Sequence, residues 1–354
     1  MKGDNIMLKY ILKRIGLAAV TLVIILSITF ILIKQLPVEL PIGTDNQTFG
    51  YCEKQEYLGF FYDSEIMRDD LGKIIFQYKE ENSAHTMHYY YSVPTMKQYA
   101  NWVKNIITKW DWGYSTAIQP RNPALPIIIS KLPASIKINI FAVIFSVPLG
   151  IALGIWAALK KNTITDHIIS TSIMIFISIP GFVLITFLMY LLCYKSGWLP
   201  TQWPTGTSVP FWTRVKGFVI PVLCLSFGSI CGYARYTRAE LCEVMESDYL
   251  LLARTKGLTK TQSILRHALR NAMVPIVPSI IAEFLGLLGG SMILESLYGI
   301  PGIGTLFITS INKKDYNVLF VDMALFTALG LLAGVLLDLS YGFIDPRIRM
   351  GAKK

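Results

Sequence analysis

Residues 247–271 read SDYLLLARTKGLTKTQSILRHALRN. The stretch is basic and helix-prone, long apolar runs lie on both sides of it, and one glycine sits in its middle. Gly257 suits the position just past a helix end, where glycine enters left-handed backbone without steric cost. Leu258 would then reach back to Ala253, as in a Schellman cap. Thr259 and Gln262 have the T-x-x-Q spacing of a capping box, so a second helix is expected to begin there. Ile264, Leu265, Ala268 and Leu269 share one face of that helix, with Arg266, His267 and Arg270 on the other. The pattern predicts a helix–glycine–helix elbow with a buried side and a basic side. An interfacial loop whose arginines meet anionic lipid headgroups has the same composition.

The flanking runs set the fold class. Hydrophobic residues make up 53% of the 354-residue chain and charged residues 16%, against about 25% charged in a soluble domain. Mean hydropathy is +0.48. Six runs approach the ~20 residues that cross a bilayer: 11–33, 134–159, 167–194, 218–236, 273–297 and 318–343. The first is longer than a signal-peptide core and is followed by KQLPVELPIG, which has no small-x-small cleavage site, so it reads as an uncleaved span. Lys9 precedes it, and Lys13 and Arg14 lie at its start. Lys160 and Lys161 follow the second span, and Arg235, Arg238, Arg254, Lys256, Lys260, Arg266 and Arg270 follow the fourth. Arg347, Arg349, Lys353 and Lys354 follow the sixth. All of these fall on one side, which places both termini and the elbow in the cytoplasm. Arg214, Lys216, Lys313 and Lys314 run against the rule and are outnumbered. The net charge of +10 therefore reads as membrane topology; no basic groove interleaved with aromatics points to nucleic acid.

The expected fold is an all-α polytopic membrane protein of about six helices with a large extracytoplasmic insertion. Residues 1–34 hold the cytoplasmic N-terminus and first helix, and 35–133 the insertion. Residues 134–343 form the membrane core, with the cytoplasmic loop at 241–272, and 344–354 a cytoplasmic tail. The insertion is too long for a bare connection and should carry its own structure. PTMKQYANWVKNIITKW reads as an amphipathic helix, with Pro94 in its first turn and Tyr99, Val103, Ile106 and Trp110 on one face. MHYYYSV reads as a strand. Tyr89, Tyr90, Tyr91 and Trp102 are candidates either for recognition of a partner or for the core of a small folded cap. Cys52 is a natural site for testing location with an impermeant thiol reagent. His85 and His88 could share a metal only on a helix, and two surface histidines is the default. The other cysteines show no disulfide or zinc spacing and read as small apolar residues.

Enzyme motifs are missing from the sequence. No G-x-x-x-x-G-K-[ST] occurs; Gly72–Lys73 is followed by Ile74 and lacks the upstream glycine, so no phosphate-cradling loop is expected. Neither a nucleophile elbow nor H-E-x-x-H is present.

The stretch DYLLLARTKGLTKTQSILRHALRN resembles the cytoplasmic EAA loop of ABC importer permeases of the dipeptide/oligopeptide/nickel family. Asp248, Tyr249, Ala253, Arg254, Lys256, Gly257, Arg266, His267, Ala268, Leu269, Arg270 and Asn271 match its pattern, and Thr255 stands for its usual alanine. LKYILKRI, WDWGYS, LPASIKINI, VPLGIALGIWAA, ESLYGIPGIGTLFITSINKKDYNV and LLDLSYGFIDPRIR resemble further family segments in order, leaving about 41–98 without a clear match. Trp112 replaces a leucine, and Lys137 is unusual in its span, where it is expected to snorkel outward. The resemblance implies that Asp248, Tyr249, Ala253, Arg254, Lys256, Gly257, Arg266 and His267 couple the chain to a separate ATPase. It also implies a second homologous permease, a pair of ABC ATPases that bind the ATP and Mg, and an extracytoplasmic substrate-binding lipoprotein, with membrane lipid around the spans. No cofactor, metal site or enzyme activity is expected in this chain itself. The substrate is expected to be a di- or oligopeptide, with nickel or a metal–chelator complex as the alternative cargo.

A secondary transporter driven by an ion gradient is the alternative of another class. Such proteins use intramembrane carboxylates, and Glu283, Glu295 and Asp338 are candidates. Glu283 and Glu295 are the residues expected to border a translocation pathway. Matching interrupted spans in two halves, a mark of many such transporters, are not apparent. Gly286, Gly289 and Gly290 are expected to allow close helix approach, either at a seam with the second permease or within the chain.

Overall fold

The structure, a computed structural model, describes residues 2–79, 87–206, 208–287 and 290–344. Its helices are α1 (Lys2–Ile33), α2 (Asp45–Tyr57), α3 (Thr95–Lys109), α4 (Ala124–Leu159), α5 (Ile164–Ile177), α6 (Gly181–Leu188), α7 (Phe211–Met245), α8 (Asp248–Thr255), α9 (Lys260–Ser263), α10 (Leu269–Leu287), α11 (Met292–Tyr298), α12 (Ile303–Asn312) and α13 (Tyr316–Ile344). Its strands are β1 (Phe61–Ser64), β2 (Ile74–Lys79) and β3 (Met87–Ser92). His85, Gly289 and the basic residues from Arg347 onward lie outside the described residues. The chain divides into two compact units. The first comprises Met1–Arg14, Pro133–Thr305 and Leu329–Lys354, the second Ile15–Leu132 and Leu306–Ala328.

Five helices are long and apolar enough to cross a membrane: Tyr10–Ile33, Ala124–Leu159, Phe211–Met245, Arg266–Gly286 and Tyr316–Ser340. Two helix pairs pass the same test together but are sharply bent, α5 with 181–195 by 98° and α11 with α12 by 84°. Two of the six expected spans therefore need correction. The one at 167–194 is broken, and the one at 273–297 ends at Leu287, its last residues belonging to the second bent pair. Interrupted segments are thus present that hydropathy alone does not show. Proline alone does not mark them, since Pro133, Pro148, Pro221, Pro275 and Pro278 all sit inside continuous helices, as transmembrane helices tolerate. Both bends fall on Ile-Pro-Gly, at 179–181 and 300–302. In the first, Pro180 has the extended ψ of 137° that ends one helix and starts the next. Adding the freedom of glycine to a residue that cannot donate is what turns a kink into a break.

In the first unit, the closest approach of two helices rests on glycines outside the expected set. A Cβ at Gly150 would lie 2.7 Å from Tyr233 Cβ and 2.9 Å from the Ile230 carbonyl oxygen. One at Gly154 would lie 2.6 Å from the Ala234 carbonyl oxygen. These glycines, four apart on α4, let its backbone lie against α7 in a small-xxx-small contact. Gly286 faces open space within the chain, whereas Gly290, at φ +72°, does allow close approach: a Cβ there would lie 2.7 Å from Glu295 Oε1 and 3.1 Å from Ile303. A carboxylate fastens α5 to α7. Asp166, 1% exposed, accepts from Arg238 Nε at 2.6 Å and Nη2 at 2.7 Å, from the Asn162 N–H at 3.0 Å and from Ser170 Oγ at 3.2 Å. Arg238, counted from sequence as a topological charge, is also a structural one.

The second unit adds a sheet to an otherwise helical chain. Strand β3 lies in the middle of the order β1-β3-β2, antiparallel to both neighbours. Successive strand side chains face opposite sides, and Tyr90 and Tyr91 are each 1% exposed, so β3 is covered on both faces. Trp102 is also buried and stacks on Phe30 with centroids 4.9 Å apart. Tyr90, Tyr91 and Trp102 are therefore core residues, and Tyr89 is half-buried. Helix α3 forms as expected, but Pro94 is its N-cap residue and the buried face differs from the apolar stripe. Gln98, Trp102 and Asn105 point inward, while Trp110 is exposed. Gln98 donates to the Val93 carbonyl at 2.7 Å, Asn101 to that of Gly59 at 2.7 Å and Asn105 to that of Leu58 at 3.0 Å. An amide face satisfies loop carbonyls that burial would otherwise strand.

Two further expectations about this unit change. His88 accepts or donates one hydrogen bond with Asp63, Nδ1 to Oδ2 at 2.6 Å, and among the described residues no three His, Cys, Asp or Glu converge to hold a metal. Cys52 is fully buried, and burial, with Asp63 adding to it, pushes its thiol up to about 12. The thiolate is the reactive form, so Cys52 is a poor reporter of location; a cysteine placed at Tyr57, which is 76% exposed, replaces it.

Candidate functional site

The elbow forms with the caps that the sequence describes. Ser247 is the N-cap of α8, its carbonyl accepting from Leu250 and Leu251 N–H at 3.1 and 3.2 Å. Asp248 follows in the first turn, where a negative charge complements the helix dipole. At the other end Lys256 is the C-cap and Gly257 takes φ +91°. The Leu258 N–H donates to the Ala253 carbonyl at 3.4 Å and the Gly257 N–H to that of Arg254 at 3.0 Å. That pair of bonds is the Schellman pattern. Thr259 N–H donates to Gln262 Oε1 at 3.2 Å, and Gln262 N–H to Thr259 Oγ1 at 3.3 Å. This closes the capping box. The second helix then runs through a π-helical turn, Ile264–Ala268, directly into α10. The elbow is thus rigidly continuous with a span-length helix.

One side of the elbow is buried against its own unit. Leu250, Ile264, Ala268 and Ala272 pack with Ala158 at the end of α4 and with Leu241 and Cys242 of α7. Burying a leucine or isoleucine side chain contributes about 1.5–3 kcal/mol, enough to seat the elbow firmly on these helices. The other side is open. Tyr249, Leu251 and Leu252 are 42%, 62% and 56% exposed, and Asp248, Arg254, Lys256, Gly257, Arg266 and His267 are exposed as well. Among the described residues, none of Arg254, Lys256, Arg266 or His267 makes an ion pair. Ala253 is half-buried and acts through its carbonyl. The face therefore offers apolar contact area and unpaired cationic donors, the two ingredients of a docking surface. Sequence reasoning listed the charges and missed Leu251 and Leu252, whose exposure follows only once Leu250 is seen to take the inward position.

The candidate pathway carboxylates separate. Glu283, half-buried on α10, accepts a hydrogen bond from Ser229 of α7, and its second oxygen is buried without a hydrogen-bond partner. Glu295 is 2% exposed and held from several sides. Ser135 Oγ donates to it at 2.6 Å and the Thr305 N–H at 3.2 Å, while Ser135 Oγ accepts from the Ile303 N–H at 3.0 Å. A Cβ at Gly302 would sit 2.3 Å from Glu295 Oε2 and 2.4 Å from Ser135 Oγ, so the second Pro-Gly bend needs its glycine to close on this carboxylate. Glu295 thus locks the bend and presents no free face. Asp338 is paired with Arg14 at 2.9 Å.

The comparisons with known proteins agree with this arrangement. Residues 150–350 match the model of a family described as "Binding-protein-dependent transport system inner membrane component". The Haemophilus influenzae oligopeptide transport system permease protein OppB is 30% identical over 97% of this chain and all of its own length. The Bacillus subtilis dipeptide transport system permease protein DppB is 29% identical over 98% of this chain and all of its own. Among solved structures, an inward-facing MetNI methionine ABC transporter chain is alike in fold, with a TM-score of 0.50 at 17% identity, covering 62% of this chain and 97% of that one.

Proposed function

Because this chain belongs to the family of binding-protein-dependent transport system inner membrane components, we propose that it is the membrane-spanning permease of an ATP-binding-cassette importer of di- or oligopeptides. The observation that carries the reading is the likeness to oligopeptide and dipeptide permeases over nearly the whole chain, together with an elbow that presents exposed apolar and basic side chains. The chain is a multi-pass membrane protein and not itself the motor. In this reading Asp248, Tyr249, Arg254, Lys256, Arg266 and His267 meet a separate ATPase, while Ala253 and Gly257 shape the cap that presents them. A pair of such ATPases binds ATP and Mg2+. A second homologous permease completes the conduit, and an extracytoplasmic lipoprotein delivers substrate. The termini and elbow are cytoplasmic, and residues 35–133 extracytoplasmic.

Glu283 is the carboxylate we place at the pathway, and Glu295 we assign to the loop it locks. That division weakens the ion-driven alternative, since Asp338 and Glu295 are both committed to partners within the fold. Peptide cargo is tested against metal cargo in the assembled transporter. Vesicles containing all subunits and ATP are expected to take up radiolabelled tri-alanine and to leave isotopic nickel at background. Nickel uptake without peptide uptake would replace the substrate and keep the architecture.

A further inference from the structure

A polar depression in the second unit is separate from both the elbow and the Glu295 lock. It is open and about 360 Å3 in volume; Asn46, Gln47, Lys54 and Arg121 are exposed in it, Tyr114 is half-buried and Tyr51 is buried. Asn46, Gln47, Tyr51 and Lys54 of α2 form one side, and Tyr114 and Arg121 the other. No carboxylate borders it; Asp45 and Glu53 are neighbours on α2 but lie outside the lining. Lys54 and Arg121 make no ion pair among the described residues.

Parts of both walls are fixed. Lys54 Nζ lies 3.6 Å from the centroid of the Tyr114 ring, a cation–π contact that orients the ammonium without neutralising it. Tyr114 is itself fixed, its hydroxyl donating to Asp111 at 3.3 Å and its carbonyl accepting from Asn317 at 2.7 Å. Arg121 is held at φ +68°, a conformation that costs a non-glycine residue energy and persists only where the surroundings enforce it. They do so here through the Arg121 N–H to the Ser115 carbonyl at 2.8 Å and the Ser115 N–H to the Asn122 carbonyl at 2.9 Å. The oxygens of the two carboxamides are already used: Asn46 Oδ1 accepts from the Tyr78 hydroxyl and Gln47 Oε1 from the Thr44 N–H. Their NH2 groups are the ends left free. The polar lining is therefore rich in donors, two of them cationic, beside two tyrosines.

We infer that this depression binds the terminal carboxylate of a short peptide. Arg121 supplies the planar fork that matches a carboxylate, and Lys54 a second charge. The choice of a peptide as carrier rests on the proposed function; the carboxylate chemistry does not.

The test uses the full chain in lipid nanodiscs, without partners or ATP, and follows tri-alanine and tri-alanine amide by ligand-detected NMR. The free acid should bind about tenfold more tightly than the amide, the loss of one charge-assisted contact. Lys54→Gln should weaken binding of the acid several-fold and leave the amide unchanged, and Arg121→Gln should do the same more strongly. Equal binding of acid and amide, absence of binding at millimolar tri-alanine, or wild-type affinity in the double variant would each overturn the inference. Acetate competing as well as the peptide would overturn the peptide assignment. Because binding is read on this chain alone, failure of ATP-dependent uptake in the complete transporter would leave this result standing, and the reverse holds too.

Discussion

Gly257→Val is expected to abolish most substrate-stimulated ATPase and uptake of the assembled transporter while leaving the chain inserted and folded. The glycine takes φ +91° and a Cβ there would meet nothing within 4 Å. The cost is therefore conformational: left-handed backbone penalises an L-residue by about 1–2 kcal/mol, and a β-branched residue is the worst case. Relief of that strain pulls Leu258 away from its bond to the Ala253 carbonyl and swings α9 relative to α8. An elbow misaligned by an ångström or so can lose activity ~100-fold while its packing core of Leu250, Ile264 and Ala268 stays intact. Gly257→Asn, which tolerates left-handed backbone, should retain most activity. Wild-type ATPase stimulation in the valine variant would remove the elbow from the mechanism.

Asp315→Ala should cause the largest loss of stability of any single polar substitution in the second unit. Asp315 is fully buried. One oxygen accepts from Ser115 Oγ at 2.5 Å and from the N–H groups of Thr116, Ala117 and Ile118 at 3.2, 3.0 and 2.9 Å. The other accepts from the Val318 N–H at 3.4 Å, at the start of α13. Four donors converging on one oxygen make a nest built for negative charge, and alanine leaves them facing nothing. Charged hydrogen bonds contribute about 1.5–3 kcal/mol each and do not add fully. A loss on the order of 3 kcal/mol is expected, or roughly 5–10 °C in the unfolding midpoint, measured on detergent-solubilised protein. Asp315→Asn should fall between. An unchanged midpoint in the alanine variant would show that the nest is dispensable.

This nest also shows what a linear reading can and cannot recover. WDWGYS and INKKDYN were each recognisable as family-like segments, yet nothing in their spacing says that Ser115 and Asp315 meet. The elbow was legible because its signals are local: a glycine at C′, and a capping box spanning four residues. Local signals also marked both bends, since the chain has two Pro-Gly dipeptides and each lies at a break. Hydropathy hides the first, which lies inside one continuous apolar run, and places the second beyond the end of a run, where a bend between two short helices looks like a loop. Helix α3 misled differently. Counting apolar residues selected Tyr99, Val103, Ile106 and Trp110, whereas burial is set by which side chains can satisfy the carbonyls of Leu58 and Gly59. Gly150 and Gly154 were hidden for a related reason, because a small residue announces a contact only when the partner backbone is known.

The central claim is that this chain is a passive conduit moved by a motor that binds its elbow. The most direct measurement is accumulation of radiolabelled tri-alanine in proteoliposomes assembled with this chain alone, or with its partner permease, ATPases and binding protein. Uptake against a gradient is expected only in the complete assembly and only with hydrolysable ATP, and it should vanish when the elbow carries Gly257→Val. Accumulation by this chain alone, without ATP and under an imposed ion gradient, would contradict the claim.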